Sequence, residues 1–181
     1  MYPYNTNTNA NMNTNASRKK KSIKATRKDF PEPLNNNDSL SQLFSAAMLD
    51  ETKDAAKYRG MMEYLSKNGL DNLAEVAKSM YADECRHRTL LKNMADTDGI
   101  MYNEPGEITD EFDYTPEGIL QDVYAEVEGA RFYRDFARVL QNEDMGDIET
   151  LDEIMNDEQN HAVLNDYIYL NMLNMVNAQS K

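Results

Sequence analysis

The sequence predicts an all-α fold: an antiparallel four-helix bundle made of two helical hairpins joined by a long crossover, with a disordered N-terminal tail. Three observations carry this. Apolar residues recur at three- and four-residue spacing through four long segments of residues 38–181. No alternating β-branched run signals a strand. The connections are short, long and short, which makes neighbours of the first pair and of the second pair and leaves one crossover between them.

The first helix has Asp38 as its N-cap and runs from Leu40 to about Lys67, where Gly69 supplies the left-handed residue that ends it. The second runs from near Asp71 to about Ala95, with Gly99 beyond its end. A connection of roughly 20 residues follows. It holds Gly99, Pro105 and Gly106 and is acidic, with Asp98, Glu104, Glu107, Asp110, Glu111 and Asp113. It reads as a solvated loop long enough to travel the length of a helix. Thr115 caps the third helix with Pro116 at its first position, and this helix ends near Asn142. The fourth starts around Gly146 and Asp147 and reaches roughly Asn177.

Charge divides the chain in two. Residues 1–37 alternate Asn with Thr, Ala and Met, then carry a basic run at Arg18, Lys19, Lys20 and Lys21. With seven basic and two acidic residues this tail is +5, and few of its residues can enter a core. Residues 38–181 hold 12 basic and 30 acidic residues, or −18. The tail is expected to be a solvated linker, or to bind an acidic partner, nucleic acid or an anionic surface. No apolar run is long enough to span a membrane. The polar N-terminus lacks the apolar stretch of a secretory signal, so a reduced, cytoplasmic setting is expected. Cys85 is the only cysteine, which excludes a disulfide scaffold and a cysteine-ligated zinc or rubredoxin site.

The apolar stripes are interrupted near their middles. Helix one reads Leu40, Phe44, Ala47, Glu51, Ala55, Tyr58, Met62, Leu65. Helix two reads Leu73, Ala77, Met80, Glu84, His87, Leu91. Helix three reads Ile119, Val123, Glu126, Ala130, Tyr133, Leu140, and helix four reads Ile154, Glu158, His161, Asn165, Ile168, Met172, Met175. A carboxylate removed from water without a partner costs several kcal/mol or takes up a proton, and four meeting in one core repel one another. No Lys or Arg lies on the central stripe positions, and two histidines supply too little charge. Divalent metal ions solve this, and oxygen with imidazole suits Fe or Mn.

Spacing sharpens the point. Glu84 and His87 form Glu-x-x-His, as do Glu158 and His161, and residues three apart share a helix face. The chain repeats internally: Glu51, Ala55 and Tyr58 match Glu126, Ala130 and Tyr133 in offset, and each Glu-x-x-His follows its stripe Glu by 33 or 32 residues. Each hairpin therefore supplies half of one site with pseudo-twofold symmetry. The predicted metal-binding residues are Glu51, Glu84, His87, Glu126, Glu158 and His161. Tyr58 and Tyr133 either hydrogen-bond to ligands of the opposite hairpin or fill the core as ordinary tyrosines. Asn165, one turn beyond His161, is a candidate polar contact. Glu128 and Cys85 are expected to point away from the site.

These residues resemble the ferritin-like superfamily, and within it the di-iron domain of rubrerythrins. The resemblance covers about residues 40–177 and rests on Glu51, Glu84-Cys-Arg-His87, Glu126 and Glu158-Gln-Asn-His161. It implies two metal ions per chain, Fe first and Mn second, with Glu84 and Glu158 bridging and Glu51 and Glu126 terminal. It implies reduction of hydrogen peroxide or oxidation of Fe(II), with electrons from an external reductase or small donor. Two departures stand out: there is no rubredoxin domain, and Gly129 stands one turn after Glu126 where peroxidase-type members carry another Glu. A manganese catalase-like dismutation is the second reading. A structural, coat or assembly protein that uses the basic tail is the third. A homodimer is the default assembly, and nothing in the sequence specifies a ferritin cage.

Overall fold

The computed structural model describes residues 40–108, 112–145 and 147–179, with side chains through Met175. The tail, the Asp38 cap, and Asp110 and Glu111 of the crossover lie outside the described residues. The described chain forms four helices: α1 (Leu40–Lys67), α2 (Asp71–Asp98), α3 (Pro116–Asn142) and α4 (Ile148–Gln179). α1 packs along α2, α3 packs along α4, and α2 also meets α4. This is the four-helix bundle of two hairpins that the sequence predicts.

The helix ends follow from local chemistry. At α1, Gly69 adopts φ +73°, its N–H reaches Ser66 O at 3.0 Å, and the Leu70 N–H reaches Leu65 O at 3.0 Å. Both bonds satisfy carbonyls the helix would otherwise leave open. α2 runs three residues past the expected Ala95 and stops at Asp98, with Gly99 left-handed at φ +66° and Ile100 N–H on Ala95 O at 2.8 Å. At α3, Thr115 Oγ1 accepts from Gly118 N–H at 3.2 Å and Pro116 occupies the first turn. α3 closes without a glycine: Asp144 takes φ +53°, and Met145 N–H bonds Leu140 O at 3.1 Å. Aspartate tolerates this conformation better than most residues. Asp147 then opens α4, accepting from Thr150 N–H at 3.2 Å and from Thr150 Oγ1 at 2.6 Å.

The crossover is not merely solvated. Ile100 and Tyr102 pack on one end of the core and Tyr114 on the other. Asn103 N–H bonds Ser45 Oγ at 2.9 Å, and Tyr114 OH bonds Lys57 O at 3.1 Å, so the strap runs along α1. Gly60 makes this docking feasible: a Cβ there would stand 2.1 Å from the Tyr114 hydroxyl oxygen. Its acids Glu104, Glu107 and Asp113 remain exposed. Among the described residues no helix is long and apolar enough to cross a membrane.

The core comes in two separate layers. One holds Phe44, Met48, Leu91, Phe132, Phe136, Leu140 and Ile154; the other holds Met61, Leu65, Leu73, Met80, Ile119, Ile168 and Met172. Each layer draws on all four helices, in the order that antiparallel hairpins require. Met175 departs from expectation: it is 40% exposed, because α4 is the longest helix and its last turns outrun its partner. Between the layers lies a waist of buried polar side chains. Removing an aromatic from one layer should weaken the whole bundle. Phe136 is fully buried and meets Phe44 edge-on at 5.0 Å. Phe136→Ala should cost about 3–5 kcal/mol in urea denaturation, with far-ultraviolet dichroism reporting a single, earlier transition.

Candidate metal centre

Each helix contributes to the waist at the level the stripes predict. Glu51 comes from α1, Glu84 and His87 from α2, Glu126 from α3, and Glu158 and His161 from α4, and all six are at most 3% exposed. They fall into two groups that share Glu84 and Glu158. Ligand atoms of Glu51, Glu84, His87 and Glu158 lie within 4.8 Å of one another, as do those of Glu84, Glu126, Glu158 and His161. The pseudo-twofold relation in the sequence is thus a relation in space.

Both tyrosines bond across to the opposite hairpin. Tyr58 OH of α1 donates to Glu126 Oε1 of α3, and Tyr133 OH of α3 donates to Glu51 Oε1 of α1. Asn165 Nδ2 donates to Tyr58 OH at 2.7 Å, extending that chain to α4. The hydroxyls fix the orientation of two carboxylates that helical packing alone would leave free to rotate. Glu128 points away and pairs with Arg131. Cys85 is outside both groups, beside Tyr81.

Three features escape the sequence reading. First, the residue before each Glu-x-x-His glutamate faces the histidine of the other hairpin. Asp157 Oδ2 lies 3.2 Å from His87 Nε2, and Asp83 Oδ2 lies 3.5 Å from His161 Nε2. The doubled spelling Asp-Glu-x-x-His, at 83–87 and 157–161, was the signal available. Second, Arg86 spans the outside, bonding Asp157 and reaching Glu153 Oε1 at 2.5 Å. Third, the expectation that no Lys or Arg reaches the central carboxylates is overturned. Lys57 is 3% exposed and its Nζ lies 2.9 Å from Glu126 Oε1, 2.6 Å from Asp54 and 3.9 Å from Asp122. It sits beside Tyr58 in sequence, off the stripe, and its four-carbon stem turns the ammonium inward.

The electrostatics follow the geometry. Burial, then the charge of Glu84, pushes Glu51 well above the usual carboxylate range. Burial, with Glu84 and Glu126, does the same to Glu158. Burial raises Glu84 despite an offsetting hydrogen bond from Glu51. Glu126 alone of the four moves down: burial opposes its ionisation, but the Lys57 ammonium, Glu158, His161 and the Tyr58 hydroxyl together outweigh it. Burial and the Glu126 charge raise Tyr58, and burial with Glu51 raises Tyr133, so both hydroxyls keep their protons.

The residues fit a metal ion on one further observation. Glu84 Oε1, Glu126 Oε2, Glu158 Oε1 and His161 Nδ1 are buried and make no hydrogen bond. Those four atoms belong to the four members of one group, and His161 Nδ1 lies 2.9 Å from Glu84 Oε1. Buried polar atoms that converge without hydrogen bonds cost free energy, and protons or a shared cation remove the cost. Gly129 leaves space for this arrangement: a Cβ there would stand 2.9 Å from Glu158 Oε2. The buried carboxylate and histidine cluster is thus one that could hold a metal ion. No family model, curated protein or solved structure matches the chain.

Folding raises Glu51, Glu84 and Glu158 and their neighbours Asp50, Asp54 and Asp122, and lowers Glu126, Asp147 and Asp157, so the balance of the carboxyls has the metal-free protein bind protons more tightly when folded than when unfolded. Its stability therefore falls as pH rises above the ordinary glutamate range. In urea denaturation of metal-stripped protein the midpoint should drop from about pH 5 to about pH 8, and Glu84→Gln should flatten that dependence. A midpoint that climbs over this range contradicts the electrostatics of the waist.

Proposed function

We propose that this protein is a dinuclear-metal redox protein of the rubrerythrin-like kind, with iron as its working metal. It would reduce hydrogen peroxide or oxidise Fe(II) with an external electron donor. The observation that carries this reading is the convergence of four glutamates and two histidines, in two overlapping groups, with four buried polar atoms that make no hydrogen bond. Glu51, Glu84, His87 and Glu158 would hold one ion and Glu84, Glu126, Glu158 and His161 a second. Carboxylate and imidazole donors suit Fe and Mn, and the lone cysteine lies outside the cluster.

Reduction of hydrogen peroxide takes two electrons and two protons and yields two waters; bound iron would supply one electron from each ion, and the donor would restore them. The chain supplies the rest. Asp157 and Asp83 hold the outer nitrogens of His87 and His161, which turns each Nδ1 to the interior. Tyr58 and Tyr133 hold the terminal carboxylates. The two apolar layers exclude bulk water above and below. The +5 segment at residues 1–37 would attach the protein to an acidic or anionic partner, apart from the chemistry.

Lys57 supports a second reading, a structural bundle whose carboxylates are compensated from within. It reaches one oxygen of one glutamate, however, and leaves Glu84 and Glu158 without a cationic side chain from Lys or Arg. Metal analysis of protein from its native host, with a Glu84→Ala/Glu158→Ala control, separates the two. About two Fe per chain, absent from the control, and peroxide consumption that needs a reductant are expected. Two Mn with dioxygen evolved and no reductant would mark catalase-like dismutation. No metal above the control, even after anaerobic loading with Fe(II) and Mn(II), would leave the structural bundle.

A further inference from the structure

The internal repeat is faithful at the six clustered residues and fails at four positions around Glu126; beside His87 it fails too, where Arg86 stands against Asn160 and bonds Asp157 at the rim. Six residues after Glu51 stands Lys57; six after Glu126 stands Phe132. Three after Glu51 stands Asp54; three after Glu126 stands Gly129. Four before Glu126 stands Asp122, against Ala47 before Glu51. Four after His161 stands Asn165, against Leu91 after His87. Phe132 and Leu91 are core residues of one apolar layer. Lys57, Asp54, Asp122 and Asn165 instead form a polar wedge at Glu126, and Lys57 is the one buried Lys or Arg among the described residues.

The consequence for cation binding is direct. Glu126 Oε1 accepts from both Lys57 Nζ and Tyr58 OH, so only Oε2 is left facing His161 and Glu158. Glu51 Oε1 accepts from Tyr133 alone, and no ammonium approaches it among the described residues. A carboxylate already neutralised by an ammonium is a poorer ligand, and the ammonium repels a divalent ion placed on the other oxygen. The same ammonium stabilises the empty cluster, and whatever stabilises the empty form lowers the apparent affinity for the ion that fills it.

We propose that Lys57 is a built-in counter-cation that makes the two halves of the cluster unequal. It stabilises the metal-free bundle and weakens divalent-cation binding at Glu84–Glu126–Glu158–His161 relative to Glu51–Glu84–His87–Glu158. The inference rests on the metal-centre reading above. It predicts a protein that loads in order, the Glu51 half first, and that persists folded with the Glu126 half empty.

Isothermal titration of Mn(II) into metal-stripped full-length protein, without oxygen, tests it. The wild type should show two binding events of different affinity. Lys57→Met should tighten the weaker event by about tenfold or more, the scale on which groups that touch ligands tune metal affinity. It should leave the tighter event in place, and lower the thermal midpoint of the metal-free protein but not of the Mn(II)-loaded one. Lys57→Arg should restore the wild-type separation. Two further variants assign the halves even where Lys57→Met fails to fold: Glu126→Gln should abolish the weaker event and Glu51→Gln the tighter one. Equal affinities in the wild type, an unmoved weak event in Lys57→Met, or the reverse assignment would overturn the proposal. No Mn(II) uptake by the wild type would instead sink the metal-centre reading on which it rests.

Discussion

Four carboxylates enclosed between two apolar layers are the constraint on which the rest of this structure depends. Glu51, Glu84, Glu126 and Glu158 are almost fully removed from water. Their mutual repulsion has to be answered by protons, by positive charge, or by both. Each unusual feature nearby is an answer. Two histidines come in from α2 and α4, two tyrosines donate across the hairpins, and a lysine turns inward from α1. Three glutamates are still driven to hold protons more tightly than an exposed glutamate would. The waist contributes little apolar burial, and a hydrophobic layer above and another below supply it.

The internal repeat accounts for the symmetry of the six clustered residues but not for the company they keep. Where one half offers Lys57, Asp54, Asp122 and Asn165, the other offers Phe132, Gly129, Ala47 and Leu91. The Glu126 half is braced from within by a buried ammonium and its polar neighbours, the Glu51 half by hydrophobic packing and, at its rim, by Arg86 on Asp157. Equal ligands in unequal surroundings do not make equal sites, since the groups that touch the ligands set their basicity and the local dielectric.

The sequence disclosed most of the fold because the fold rests on patterns that a linear reading can see. Thr115-Pro116, Gly69 and Gly99 marked helix ends, and the stripes marked buried faces at every central position. The left-handed residue after α3 was hidden, since Asp144 does there what glycine does elsewhere. The docking of the crossover was hidden as well, because it depends on the space above Gly60 rather than on any local signal. Within the candidate site, Glu51, Glu84, His87, Glu126, Glu158 and His161 stood out because a charged residue on an apolar stripe is conspicuous. Lys57 did not: it occupies a position off the stripe, and only its flexible stem brings the ammonium to Glu126. Asp83 and Asp157 were legible in principle, since they occupy the same offset in both motifs.

Each histidine stands where a cation or an extra proton would relieve an opposition of acceptors. A neutral imidazole carries one N–H and one lone pair. His87 meets Asp157 at Nε2 and both Glu51 and Glu84 at Nδ1, so carboxylates face each of its nitrogens. His161 meets Asp83 at Nε2 and Glu84 at Nδ1 in the same way. In a neutral ring, a proton given to the outer aspartate leaves Nδ1 as a lone pair pointed at carboxylate oxygens. A proton given to the inner glutamate leaves the outer aspartate facing a lone pair. With ionised carboxylates either arrangement opposes acceptor to acceptor on one side of each ring, and a second proton, held by a glutamate or by the ring, relieves that opposition as a cation would. A divalent ion between Nδ1 and the glutamate oxygens lets Nε2–H serve the aspartate while every inner lone pair meets positive charge. Lys57 removes this conflict for neither ring, because its ammonium lies on the far oxygen of Glu126, away from both imidazoles.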